Sequence, residues 1–148
     1  MNRLFALVAL AILMTCGSGY AAGDNSGKAV DLAKKAVGFY RANGMEKALD
    51  ELSNPKGQFN LGELYIFVYD LKATMLAHPN NKLIGQNLLD VPDADGKLFR
   101  KEIVATVTAK GNGWTDYKYK NPKTKEAEAK TTYCEKSDEL IFCCGIYK

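Results

Sequence analysis

The feature that most constrains this chain is a five-residue run, Tyr65-Ile66-Phe67-Val68-Tyr69, made only of β-branched and aromatic side chains. A strand of that composition has no polar face to give to water, so both of its faces must be covered. Asp70-Leu71-Lys72-Ala73 then reads as a short turn, with Asp placed where its side chain can accept a bond from backbone two residues on. Thr74 to His78 reads as the returning strand, and Pro79 ends the pairing because it has no N–H to donate. The only histidine of the chain lies at the exit of that strand. The expectation is a hairpin at the centre of a sheet, with a binding site at its His78 end.

The elements around this hairpin follow from periodicity. Asp24 to Asn43 carries Ala29, Val30, Ala33, Ala36, Val37 and Tyr40 at helical spacing, and Asn43-Gly44 is a good stop. A shorter helix follows from Met45 to Leu52, with Met45, Ala48, Leu49 and Leu52 inward. Pro79 to Asp95 reads as a long loop packed back on the domain, a type of segment that often binds ligands. Lys97 to Lys110 predicts a helix with Leu98, Phe99, Ile103 and Val107 inside and Lys97, Arg100, Lys101 and Lys110 outside. Strands are expected over Trp114–Tyr119, Ala127–Lys136 and Leu140–Tyr147, the first two joined by a turn at Asn121-Pro122. This order gives an α+β fold: an antiparallel sheet of about five strands with a long helix on one face.

Residues 1–21 read as a cleaved export leader, with Arg3 as its positive end, Leu4 to Met14 as its apolar core and Gly19-Tyr20-Ala21-Ala22 around the cut. Lipid attachment at Cys16 is a competing reading of the same stretch, poorly matched because Thr15 precedes the cysteine. The expected location is periplasmic or secreted. Residues 22–148 form one domain by length. The chain carries 20 basic and 17 acidic residues, a net charge of +3 that becomes +2 without Arg3, which argues against nucleic acid as the main partner. Of the three cysteines beyond the leader, Cys134 and Cys143 flank a turn in a register that sets them opposite each other. The expectation for an exported chain is a Cys134–Cys143 disulfide with Cys144 left over.

No residue spacing announces catalysis. His78 has no Ser or Cys at a recognisable distance, and no acidic pair sits in a motif that would separate two pKa values, so the chain is read as non-enzymatic. Asp93-Ala94-Asp95-Gly96 with Glu102 imitates a calcium loop, but its first ligand position falls on Val91 and Pro92 follows, so the reading is a turn without metal. No cofactor is expected. What stands out is a set of polar aromatics and one strand lysine: Tyr65, Tyr69, His78, Trp114, Tyr117, Tyr119, Lys130 and Tyr133. Aromatic walls with a few fixed polar groups suit a small ligand; tyrosine, tryptophan and lysine are also ordinary sheet residues.

Several ordered motifs resemble the single Cache domain family, type two: Tyr65-Ile-Phe-Val-Tyr-Asp70, Met75-Leu-Ala-His-Pro79, Leu83-Ile-Gly85-Gln-Asn87-Leu88 and Asp93-Ala-Asp-Gly-Lys97. The likeness continues through Gly113-Trp114-Thr-Asp-Tyr117-Lys-Tyr119-Lys-Asn121-Pro122, Lys130-Thr-Thr-Tyr133 and Gly145-Ile-Tyr147. The resemblance implies a PAS-like fold and extracytoplasmic binding of small molecules, short-chain carboxylates among them. It carries over Tyr69, Met75, His78, Trp114, Tyr119, Lys130 and Tyr133 as pocket lining. In that reading Lys130 and His78 receive the anionic group, Tyr133 and Tyr69 donate hydrogen bonds, and Trp114 and Met75 form the apolar wall. Receptors of this type continue into a transmembrane helix, whereas this sequence stops at Lys148. The expectation is therefore an exported module that presents a small organic acid to a separate membrane receptor or transporter. A structural or interaction protein that kept the fold and lost the pocket is the alternative, and a redox role for the third cysteine is a weaker one.

Overall fold

A computed structural model describes residues 22–148. The leader expected over 1–21, with Cys16 inside it, lies outside the described residues.

Helix α1 (Ala22–Asn43) turns one stripe, Ala29, Leu32, Ala33, Ala36 and Val37, into the core. Small residues dominate that stripe, so the helix lies close against the sheet. It stops at Gly44, whose φ of 83° suits a residue without Cβ. Helix α2 (Met45–Leu52) follows at once and buries Ala48 and Leu52, while Met45, expected inward, is exposed.

Six antiparallel strands make the sheet: β1 (Asn60–Leu61), β2 (Leu64–Asp70), β3 (Met75–Ala77), β4 (Asn112–Lys120), β5 (Ala127–Ser137) and β6 (Leu140–Tyr147). They run in the order β1–β2–β6–β5–β4, with β3 also paired to β2. The expected hairpin is present, and Asp70 Oδ1 accepts from the backbone N–H of Lys72 and Thr74 at 2.8 and 2.9 Å. It is not the centre of the sheet, however. Strand β3 is only three residues long before Pro79, so the long partner of β2 is the C-terminal strand β6, which occupies the middle. The two-residue strand β1 is too short to leave a periodic signal in the sequence.

Period-two alternation sorts the sheet residues between two cores. Ile66, Val68, Tyr133, Phe142, Cys144 and Ile146 pack with α1. Tyr65, Phe67, Tyr69, Tyr117, Ile141 and Cys143 face the other way, toward helix α3 (Phe99–Lys110) and the loop segment that leads into it. That segment contains a 3₁₀ turn over Asn81–Leu83 and the Asp-Gly turn, where Asp93 accepts from the N–H groups of Asp95, Lys97 and Lys118. The result is three layers, with the sheet in the middle.

Cys134 and Cys143 are register partners on β5 and β6 and form the expected disulfide, with their Cα atoms 4.1 Å apart. Cys144 is a buried free thiol, one residue on and therefore on the α1 side. The bridge closes a short hairpin loop, so reduction should lower unfolding free energy by about 2–3 kcal/mol. Urea melts with and without dithiothreitol check this; superimposable curves would show that the bridge constrains nothing.

Candidate functional site

The site is built around Lys130. Strand alternation sends its side chain to the α3 face, and the register sets it between Tyr117 on β4 and Tyr147 on β6. Only 1% of it is exposed. Its stem crosses β6 at Gly145, where a Cβ would stand 2.2 Å from Lys130 Cε. Its Nζ donates to Tyr65 Oη at 2.9 Å and lies 4.3 Å from the ring centroid of Tyr65, 4.8 Å from Tyr147, 5.3 Å from Tyr119 and 5.5 Å from Phe67. Aromatic faces offer a cation some electrostatic relief. Among the described residues no carboxylate pairs with it. Burial pulls its pKa down to about 7, against a weaker upward pull from Cys144.

A second cation shares this face. Arg100 was expected on the outside of its helix, yet it is 4% exposed. Its Nε donates to Tyr69 Oη at 2.9 Å, its Nη1 to the Val91 carbonyl at 3.1 Å, and its guanidinium lies 4.2 Å over Phe99. The signal was in the sequence: Arg100, Ile103 and Val107 fall at helical spacing, and all three are buried. Burial raises the Tyr69 hydroxyl to about 12 despite the neighbouring guanidinium, so it stays protonated.

His78 completes the polar set. Its Nδ1 accepts from the Asn80 N–H at 2.8 Å, which leaves the ring proton on Nε2. Burial, with Lys130 and Arg100 adding to it, lowers its pKa to about 4. At neutral pH it is therefore an uncharged donor. Its ring packs against Tyr65 and Phe67.

Two spaces adjoin these groups. A small inner space of about 10 Å³ is lined by Phe67, Tyr69, Met75, His78, Phe99, Tyr117 and Tyr119. An outer cleft of about 1010 Å³ opens to solvent between the β1–β2 turn, the residues after β3 and the β4–β5 turn. His78 and Tyr119 line both spaces and form the partition between them.

Of the seven residues named from sequence, Tyr69, Met75, His78, Tyr119 and Lys130 meet on this face. Trp114 and Tyr133 do not. They are register partners on the opposite face, with rings 5.6 Å apart, and the Tyr133 hydroxyl donates to Glu135, which also pairs with Lys34 of α1. The reason is parity: Trp114 stands an odd number of residues from Tyr117 and Tyr119, so a straight strand sends it the other way. Sequence reasoning left Arg100 outside, named Tyr65 among the polar aromatics without carrying it into the lining, and gave no pocket role to Gly145. The arrangement as found presents two desolvated cations, a neutral histidine donor and tyrosine hydroxyls to one small region. Charge-assisted hydrogen bonds to an oxyanion are what such a set can make.

Comparisons with known proteins agree with this architecture. The sensor histidine kinase MctS of Rhizobium johnstonii is 34% identical over 82 residues, which are 55% of this chain and 18% of the kinase. The chain thus spans less than a fifth of that relative's length. A solved structure described as the basis for carboxylic acid recognition by a Cache chemosensory domain is 28% identical, with a TM-score of 0.68 over 84% of this chain and 93% of the other. A periplasmic sensor domain of a chemotaxis protein is 26% identical, with a TM-score of 0.63 over 84% and 90%. The model of the family described as Single Cache domain 2 matches residues 40–145, and this chain belongs to that family.

Proposed function

We propose that this domain is a sensory ligand-binding module that recognises a small organic acid by its carboxylate. Lys130 receives the anion, Arg100 adds positive charge, and the neutral His78 Nε2–H and the hydroxyls of Tyr65 and Tyr69 orient it by hydrogen bonds. The observation that carries this reading is Lys130 itself: a buried ammonium with no acidic partner among the described residues is costly unless something anionic arrives. The likeness to a Cache domain described as recognising carboxylic acids points the same way. No step of this reading makes or breaks a bond, so the domain is proposed as non-enzymatic. The leader-like composition of residues 1–21, the disulfide and the likeness to a periplasmic sensor domain support action outside the cytoplasm. The signal would pass to a membrane receptor or transporter.

Thermal unfolding against two- to four-carbon carboxylates, amino acids and amines tests the proposal. A ligand at 100 times its dissociation constant adds about 2.7 kcal/mol, roughly 10 °C for a domain of this size. A shift confined to carboxylates is the expected result. The small inner space favours one competing reading, an interaction protein that kept the fold with its pocket filled by its own rings. A cooperative melt indifferent to the whole panel would select that reading instead.

A further inference from the structure

The outer cleft is larger than a two- to four-carbon acid requires. At about 1010 Å³ it lies at the upper end of the range of pockets that hold drug-sized molecules, whereas the small space behind it holds about 10 Å³. Its lining has two characters. Leu61, Pro79, Leu83 and Pro122 give it apolar surface, and Lys120 and Lys123 stand among its walls with no ion-pair partner among the described residues. Lys125, also in the lining, has its ammonium on the Pro122 carbonyl. The one acidic residue of the lining, Glu63, already accepts from Asn121 Nδ2 at 2.7 Å. The same amide donates to Glu128 at 2.8 Å, so the β4–β5 turn is tied to the β1–β2 turn and the cleft is held open in advance. Tyr65 joins this cleft to the buried cation, since the residue lines the cleft while its oxygen is 2.9 Å from Lys130 Nζ.

Building on the carboxylate reading above, we propose that the ligand is a two-part organic acid. Its carboxylate reaches Lys130 past Tyr65, His78 and Tyr119, and an apolar body stays in the outer cleft against Leu61 and Pro122. A two- to four-carbon acid would leave that cleft unfilled. Lys120 and Lys123 give the cleft a positive potential that draws the anion in and discriminates against amines of the same shape. Each methylene newly buried strengthens binding roughly fourfold, so an aryl acid should outrank its truncated form clearly.

Calorimetric titration of the full protein with acetate and with phenylacetate tests this. Phenylacetate is expected to bind at least tenfold tighter, and Leu61→Asn to reduce that preference roughly threefold or more. Leu61 is 60% exposed, so this variant folds. Lys130→Met should abolish binding of both acids. Acetate binding as tightly as phenylacetate would overturn the two-part ligand and leave the carboxylate reading standing. Phenylacetate binding that survives Lys130→Met would also overturn it, because the head group would then lie elsewhere. Binding of neither acid would remove both proposals together.

Discussion

Lys130→Met is expected to raise the stability of the domain at and below neutral pH and, on the proposed function, to abolish carboxylate binding. The two effects share one cause. In the unfolded chain the lysine titrates near its ordinary 10.5, and in the folded domain burial brings it to about 7. Between those values the unfolded state binds more protons, so wild-type stability falls as pH drops from 10.5 to 7, and the full penalty is present below 7. At 1.36 kcal/mol for each pKa unit, the penalty is on the order of 3–5 kcal/mol. Methionine has a similar length and no charge, so it removes both the penalty and its share of the slope. Urea melts at pH 6, 7.5 and 9.5 check the prediction: wild type gains stability across the series, and the variant starts higher and has a shallower slope, the remaining gain above pH 6 coming from buried His78. A variant that is less stable than wild type, with the same slope, would mean that the ammonium is not desolvated in the fold.

This cost is consistent with a site kept ready for an anion. A core that only needed to fold would put leucine or methionine at position 130, where four aromatic rings already converge. The same applies to Arg100, whose guanidinium is drawn under the loop segment to meet Tyr69 and Val91. On the proposed function, an anion reaching Lys130 would offset the cost of its burial, and a ligand that favours one state of the chain over another is what any signal requires.

Much of this was legible in the sequence, because the strongest signals were local. The Tyr65–Tyr69 run, the Asn43-Gly44 stop and the Asp70 turn each declare themselves within a few residues, and each element appears where expected. The cysteine spacing gave the disulfide because a hairpin fixes its own register. Strand order was different. That β6, the last strand, lies beside β2 depends on contacts between residues 70 to 78 positions apart, and no local pattern records them. The departures around the site have the same origin. The resemblance carries Trp114 over as pocket lining, and parity along β4 sets it on the opposite face, against Tyr133. Arg100 was placed by its charge, whereas its helical phase already matched Ile103 and Val107.

Gly145 is the residue whose importance is least visible from sequence, and its substitution carries the other large effect. A Cβ built there would stand 2.2 Å from Lys130 Cε and 2.4 Å from Thr132 Oγ1. Real carbon atoms do not approach so closely, so Gly145→Ala must displace the lysine stem. Thr132 has little freedom to give way, since its hydroxyl is bonded to Tyr117 Oη at 2.8 Å in a buried pair. Lys130 moves instead, and its ammonium leaves Tyr65. The expected cost is about 3 kcal/mol of stability, as for other overpacked cores, together with loss of carboxylate binding. Combining the two substitutions separates these effects. Lys130→Ala removes the lysine's share of the clash and leaves that of Thr132 Oγ1, so Gly145→Ala added to it should cost less than in wild type, a coupling that a double-mutant cycle measures directly. Equal costs in both backgrounds would show that the glycine makes room for Thr132 or serves the backbone of β6, and not the lysine. A smaller cost beside Lys130→Ala would establish that position 145 is kept empty so that a lysine can pass.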